Sequence, residues 1–189
     1  MKFSYPLKLK VITQDFNGRP EVYRQFGLKS HGAIDWRAKE GTEVYAMANG
    51  TVKEVGDQGN KGYGKFVRLQ HQTCESVYAH FSQHKVKEGD EVKVGDCIGL
   101  SGNTGFSTAA HLHTGVRMTD KDGNVLDYGN GWKGYINFKP FIVDPNATPS
   151  PPVTATMDEA RKEAILTKAR QNRLNRVKLM FSKIVSLFK

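Results

Sequence analysis

The sequence contains little cysteine and no long hydrophobic run. Its 189 residues include two cysteines, Cys74 and Cys97, which excludes a fold held by a set of disulfides. One bridge and two free thiols both remain open, so the pair assigns no redox compartment. No segment reaches the roughly 18 apolar residues of a spanning helix, and residues 1–8 lack the apolar stretch of a signal peptide. We therefore expect synthesis in the cytoplasm without a Sec signal.

Helical periodicity of useful length is also missing before residue 150. Short segments rich in Val, Tyr and Phe alternate there with Gly, Asn and Asp, a pattern typical of strands and tight turns. The predicted strands are residues 43–46, 50–55, 65–70, 75–80 and 91–100. A turn at Asn49-Gly50 joins the first two. We expect residues 1–144 to form one all-β domain, an antiparallel β-sandwich or partly open barrel.

Acidic side chains are few in the C-terminal segment. Between Asp158 and Lys189, nine lysines and arginines stand against three acids, so this segment carries most of the net charge of +9. The preceding residues 145–156 are rich in Pro, Thr and Ser, which favours an extended linker. Residues 157–189 carry apolar side chains at helical spacing, namely Val177, Met180, Phe181, Ile184, Val185 and Phe188.

The basic amphipathic helix predicted over residues 157–189 has two interpretations. A cationic helix with an apolar face can lie on an anionic membrane surface. It can equally pack on its own domain or on a neighbouring copy. No recognisable nucleic-acid-binding motif accompanies the basic charge, so we predict no specific nucleic acid partner.

Imidazole and carboxylate groups occur in several short motifs. His31 and Asp35 stand four residues apart before an apolar segment, and His80 ends a predicted strand. If the segment that begins at His111 is a strand, His111 and His113 project from one face with about 7 Å between their Cα atoms. Each motif alone is also compatible with a capped turn, a surface residue or a strand end. Together, two histidines and one aspartate match the three protein ligands of a catalytic zinc site.

The order of these motifs resembles a known family. His-x-x-x-Asp, then Tyr-Ala-His, then Gly-Asn-Thr-Gly-x-Ser-Thr-x-x-His-Leu-His is similar to the lysostaphin-type (β-lytic) zinc metalloendopeptidases, which cut peptides of bacterial peptidoglycan. The resemblance covers residues 14–117 and includes the strands that connect the motifs. Each motif is weak alone, but their order and separation make the resemblance specific.

The resemblance implies a role for each of five residues. His31, Asp35 and His113 would hold one zinc ion per chain, and His80 and His111 would be catalytic. Zinc lowers the pKa of a bound water to about 7, so a nearby imidazole can take its proton during attack on the scissile carbonyl. The second imidazole can protonate the leaving amine, and the sequence does not divide these two roles.

Two departures from the family pattern concern the surroundings of the ligands. Gly32 follows His31 directly, whereas family members often carry glycine one position later. Thr114-Gly115 follows His113 where the family commonly has an aromatic residue and an acid. These changes leave the substrate-groove wall after His113 undefined.

The resemblance implies a zinc-dependent endopeptidase that hydrolyses peptidoglycan, in the stem peptide or the cross-bridge, and so degrades cell wall. Without a Sec signal, a phage lysin or virion-associated enzyme is the favoured setting, with virion proteins as candidate partners. The main alternative is a catalytically silent envelope-binding or virion structural protein that keeps the fold. A fold-level likeness to sugar-phosphotransferase carriers ranks lower, because the complete ligand set favours metal over phosphate.

Three further residues stand outside these motifs. His71 and His84 are expected to be structural or solvated. Tyr63, in a glycine-rich loop, either lines the substrate groove or is a turn aromatic.

Overall fold

The computed structural model describes residues 1–144, 162 and 165–168. Residues 162 and 165–168 are helical and exposed. The predicted linker at 145–156 and the rest of the predicted helix at 157–189 lie outside the described residues. No helix in the described part of the chain is long and apolar enough to cross a membrane.

Short strands dominate the described residues. The strands are β1 Ile12–Gln14, β2 Ile34–Arg37, β3 Glu43–Tyr45, β4 Gly50–Asp57, β5 Lys65–Gln70, β6 Cys74–His84, β7 Glu91–Val92, β8 Cys97–Ser101, β9 His111–Met118 and β10 Tyr135–Ile136. The α-helix α1 spans Pro20–Tyr23. The 3-10 helices are Arg24–Phe26, Tyr128–Asn130 and Lys139–Phe141.

The strands form one antiparallel sheet. Its main order is β1-β2-β9-β6-β5-β4-β7, with β10 beside β9 and β3 joined to β6 through β8. The 11-residue strand β6 is central, since its first part pairs with β9 and its last part with β8. Because β1 and β7 end the order without pairing to each other, the sheet is open. The predicted all-β, antiparallel fold is confirmed.

The turn predicted at Asn49-Gly50 does not join two paired strands. The strands on either side form, as β3 and β4, but β3 pairs with β8, while β4 pairs with β5 and β7. The physical reason is the connection itself, because Ala46 and Met47 are fully buried. Burial of these apolar side chains draws the chain through the core instead of letting it turn back at the surface.

Alternation along β9 separates the core from a second, polar face. Leu112 and Val116 belong to the main core, whose largest buried side chains include Trp36 and Tyr78. A strand repeats every two residues, so the intervening residues from His111 to Arg117 face the other way. On that face lies a smaller apolar cluster of Phe66, Val77, Ala79 and Tyr135.

The two cysteines are free thiols in the structure. Cys74 is buried and Cys97 is half-buried. The sequence leaves open one disulfide or two free thiols, and the structure has the two free thiols.

Candidate active site

Three polar side chains meet where β2 lies beside β9. Asp35 and His113 are direct partners in the antiparallel register, and Asp35 Oδ1 lies 2.9 Å from His113 Nδ1. His31, in the loop before β2, places its Nε2 atom 3.2 Å from both of these atoms. His31 is fully buried, and Asp35 is 7% exposed. The structure thus brings together the three side chains that the family resemblance names as ligands.

The geometry of these three groups fits a metal ion. His31 Nδ1 lies 3.2 Å from the carbonyl oxygen of Asp15; a carbonyl only accepts, so the neutral ring donates there and carries a lone pair on Nε2. That lone pair faces the Asp35 carboxylate at 3.2 Å. Because a lone pair and a carboxylate repel each other, this contact is favourable only with a cation or a proton between them. In a tetrahedral site with bonds of about 2.0–2.1 Å, ligand atoms are about 3.3 Å apart. The observed separations of 2.9–3.2 Å are close to this, so the three residues could hold one metal ion.

The protonation states of the site also suit metal binding. Burial alone would raise the pKa of Asp35, but the His113 and His31 rings outweigh it and hold that pKa well below its usual value. Burial lowers the pKa of His113, and the Asp35 carboxylate offsets this only in part. Burial, followed by the charges of His113 and His111, lowers the pKa of His80 to about 3. An ionised carboxylate beside neutral imidazoles is the form that ligates metal.

His80 reaches the site through an irregularity in β6. Ala79 pairs with His113, and Tyr78 lies in the main core, so regular alternation would point His80 toward the core. Instead, its φ is +67°, and the register between β5 and β6 shifts at this point. The imidazole consequently lines the same groove as His113. The prediction that His80 ends a strand was wrong, since β6 continues to His84.

Carbonyl oxygens set the tautomers of both remaining imidazoles. His80 Nδ1 lies 2.8 Å from the Thr104 carbonyl oxygen, and His111 Nδ1 lies 2.8 Å from that of Ala109. Each neutral ring therefore has its proton on Nδ1 and a lone pair on Nε2. His111 Nε2 is 3.9 Å from Asp35 Oδ1. The centroids of the His80 and His111 rings are 4.7 Å apart. Both rings are placed to exchange protons with a group bound beside the three predicted ligands.

A groove of about 320 Å³ is lined by the imidazoles of His31, His80 and His113, whereas His111 does not line it. Phe26 and Phe106 both line it, and their ring centroids are 5.0 Å apart. Tyr63 also lines it, with its ring 5.6 Å from the His113 ring. Its hydroxyl lies 2.9 Å from the hydroxyl of Tyr135. Of the two roles left open for Tyr63, the structure shows the groove position.

Sequence reasoning missed Tyr23, Arg68, Arg117 and Tyr135, which also line the groove. The Tyr23 ring lies 5.0 Å from the His31 ring, and burial raises its pKa to about 12, so the hydroxyl stays protonated. No motif or spacing in the sequence marks these four residues.

One signal for the groove wall was present in the sequence. A Cβ atom on Gly115 would lie 2.8 Å from the Tyr135 ring, so glycine at this position makes room for Tyr135. Thr114 faces the core instead and accepts a 2.7 Å hydrogen bond from Trp36 Nε1. Where the family commonly has an aromatic residue after the last ligand, this chain has Thr114-Gly115, and Tyr135 supplies the aromatic side chain of the groove wall instead.

The remaining histidines lie away from the groove. His71 is buried, with its ring nitrogens 2.7 Å from the Asn49 carbonyl oxygen and 2.8 Å from Ser76 Oγ. Neither His71 nor His84 lines the groove.

Comparison with known proteins assigns this chain to a family. Residues 29–127, a range that contains all five predicted site residues, match Peptidase family M23. A Vibrio cholerae protein named Peptidoglycan DD-endopeptidase ShyC is 33% identical over 109 residues, which cover 57% of this chain and 25% of that protein. The chain spans about a quarter of the length of the first curated relatives that it matches.

Solved structures share the fold. A zinc containing peptidase from Vibrio cholerae superimposes with a TM-score of 0.55 and 30% identity, over 62% of this chain and 37% of that chain. Lysostaphin from Staphylococcus simulans superimposes with a TM-score of 0.54 and 26% identity, over 76% of this chain and 56% of that chain. The resemblance inferred from the motifs is confirmed.

Proposed function

This chain belongs to peptidase family M23, and from that premise we propose that it is a zinc-dependent endopeptidase acting on peptide bonds of bacterial peptidoglycan. The observation that carries the proposal is the meeting of His31 Nε2, Asp35 Oδ1 and His113 Nδ1 within 2.9–3.2 Å of one another. Two further imidazoles, His80 and His111, stand beside them. A protein that only binds the envelope has no need of such proton carriers.

His31, Asp35 and His113 would hold the metal. Two imidazole nitrogens and one carboxylate form a ligand set of catalytic zinc, and they leave one position open. When bound, zinc lowers the pKa of a water in that position to about 7 and polarises a carbonyl group. The chain holds its ligands in place through the Asp15 carbonyl, which accepts from His31 Nδ1, and through the β2–β9 register.

His80 and His111 would move the protons. In the tautomer that donates from Nδ1 to the carbonyls of Thr104 and Ala109, Nε2 of one ring could take a proton from the attacking water, and the other ring, once protonated, could give a proton to the leaving amine. Such general acid–base catalysis contributes typically about 10²–10⁴-fold. Because both rings have the same tautomer, the geometry leaves these two roles undivided.

Peptidoglycan is proposed as substrate because a relative is named for it. ShyC is a peptidoglycan DD-endopeptidase by name, and the groove of this chain is lined by aromatic side chains beside the imidazoles. The bond would lie in the stem peptide or the cross-bridge. We propose that the protein acts at the bacterial cell wall.

Dye release from labelled peptidoglycan tests the proposal. The zinc-loaded chain should release dye, a strong chelator should stop release, and added zinc should restore it. His31→Ala should be inactive, whereas His84→Ala, outside the groove, should retain activity. Zinc bound at about one per chain without any hydrolysis would favour the envelope-binding alternative, and turnover in metal-free protein would refute the mechanism. Mass spectrometry of the digested muropeptides would identify the bond.

A second part of the proposal concerns residues 157–189 and rests on sequence alone. Their basic, amphipathic pattern would bring the enzyme to an anionic membrane surface. Deletion of residues 157–189 should reduce binding to anionic vesicles and leave hydrolysis of purified peptidoglycan intact. Equal vesicle binding by both forms would contradict this.

A further inference from the structure

The charged side chains that line the groove are all cationic. Arg68, Arg117 and Lys133 line it, and within the described residues no aspartate or glutamate does. Tyr63 and Tyr135 lie between these cations and the imidazoles, since Tyr63 contacts the His113 ring and hydrogen-bonds to Tyr135. The groove therefore has a metal-binding end and a cationic end.

Strand geometry sets the distance between the two ends. His113 and Arg117 lie on the same face of β9 and are four residues apart, which places their Cα atoms about 13 Å apart. Gly115, between them, leaves room for the Tyr135 ring. Arg68 enters from β5, and its Nη1 atom lies 3.3 Å from the Tyr135 hydroxyl. A peptide extends by about 3.3 Å per residue, so the cationic end lies about two to four residues from the predicted ligands.

The neighbouring acids do not neutralise these cations. Glu75, which is 1% exposed, accepts hydrogen bonds from Lys53, Arg68 and Arg117. Glu54 accepts a second bond from Arg68 at 3.0 Å. Two carboxylates thus bind three cations, and neither carboxylate lines the groove. The network of Lys53, Arg68, Arg117, Glu54 and Glu75 therefore carries one positive charge in excess, and Lys133 adds a further cation to the groove lining.

The two guanidinium groups are held in place before any ligand arrives. The Arg68 side chain is 10% exposed and that of Arg117 is 17% exposed, and Glu75 binds both. A fixed, planar guanidinium suits the bidentate binding of a carboxylate. Lys133 adds a cation from the loop before β10, where it has a φ of +54°.

We propose that Arg117, Arg68 and Lys133 form an anion subsite that binds a carboxylate of the substrate peptide, about two to four residues from the scissile bond. This rests on the proposed endopeptidase function and narrows its substrate class to peptides with a free carboxylate at that distance. The carboxylate is either the terminal α-carboxylate or one carried by an internal residue.

Two pairs of synthetic peptides with the same scissile bond distinguish these sources. One pair differs by a C-terminal acid or amide, and the other by an internal carboxylate or its amide. With the zinc-loaded full chain, we expect kcat/KM to favour the acid about tenfold in one pair. The pair that shows the preference identifies the source. Because the subsite is remote from the reacting atoms, the difference should appear mainly in KM.

Variants assign the preference to the named residues. Lys133→Asn removes the charge with a residue that tolerates positive φ, and it should reduce the acid-to-amide ratio, while Lys133→Arg should retain it. Arg117→Gln should abolish most of the preference, provided thermal unfolding shows that it folds. If it does not fold, the Lys133 pair decides. Lys87→Asn, the same change at an exposed position outside the groove, should leave the ratio unchanged.

Equal kcat/KM for acid and amide in both pairs would overturn the subsite while leaving the endopeptidase function intact. Absence of cleavage of any peptide or of peptidoglycan would overturn the proposed function instead. Calorimetry with the same peptides and the metal-free chain then decides the subsite separately. The acid should bind about tenfold more tightly than the amide, a difference reduced at high salt, and equal binding would refute the proposal.

Discussion

Gly64 and Gly105 approach so closely that neither has room for a side chain. A Cβ atom on Gly105 would lie 2.3 Å from the backbone nitrogen of Gly64, and one on Gly64 would lie 2.4 Å from that of Gly105. Both glycines have positive φ, +58° and +76° respectively. The contact fixes the loop that contains Thr104, whose carbonyl oxygen accepts the 2.8 Å hydrogen bond from His80. Close packing of two loops thus supports one of the proposed proton carriers.

We expect Gly105→Ala to reduce peptidoglycan hydrolysis by at least about tenfold, because the loop that orients His80 must shift. Gly89→Ala is the matched control, since Gly89 has a φ of +88° and open space around its Cβ position. Gly89→Ala should lower the free energy of unfolding by about 1 kcal/mol through the positive φ, and Gly105→Ala should lower it further, because its Cβ also meets backbone atoms. Dye release and thermal unfolding measure the two effects. Full activity in Gly105→Ala would show that the contact does not position His80.

Two substitutions at His80 can distinguish the backbone strain at this residue from its proposed role as a proton carrier. A non-glycine residue at a φ of +67° costs about 1 kcal/mol or more. His80→Gly should therefore be more stable than His80→Ala by about 1 kcal/mol. Both variants should lose at least about 100-fold in kcat while keeping their zinc, because the proposed proton carrier is gone. Equal stability of the two would contradict the strain, and near-normal turnover would remove His80 from the mechanism.

Asp35 should control metal affinity through its charge. Asp35→Asn keeps the shape of the side chain but removes the carboxylate, so we expect zinc binding to weaken by about 100-fold or more. Competition with a zinc-binding dye measures the dissociation constant. Asp122→Asn, at an exposed position, serves as the control and should bind zinc as the wild type does. Unchanged affinity in Asp35→Asn would exclude Asp35 as a ligand.

Glu75 should make the stability of the fold depend on pH. Burial opposes its ionisation, but the hydrogen bond from Lys53 and the charges of Arg117 and Arg68 hold its pKa below the ordinary value. Such a carboxyl stabilises the fold above the unfolded-chain pKa of about 4.3. That contribution is lost as the pH falls through the lower, folded-state pKa.

We therefore expect Glu75→Gln to lose about 3 kcal/mol at pH 7 and to lose less further stability below about pH 4 than the wild type does. Chemical denaturation at a series of pH values measures both quantities. The exposed Glu40→Gln should follow the wild-type profile. Parallel profiles for Glu75→Gln and the wild type would mean that Glu75 does not contribute to the acid sensitivity.

Much of the site could be predicted from the sequence, because most of its chemical groups belong to short sequence motifs. His31 and Asp35 are four residues apart, and His111 and His113 share one strand face, as their spacing along a strand predicts. The residues that follow His111 allow a strand there, and the structure contains it as β9. These features depend on residues close together in the chain, so the sequence alone could predict them, as it predicted the all-β fold.

The tertiary structure decided how these groups meet. Asp35 and His113 are 78 residues apart in the chain and touch only because β2 and β9 pair in one register. The irregularity that turns His80 into the groove depends on pairing with β5. The groove cations Arg68 and Arg117 share no motif and converge through Glu75. Residue type and local period are properties of the sequence, whereas register, bulges and loop contacts arise from packing between distant segments.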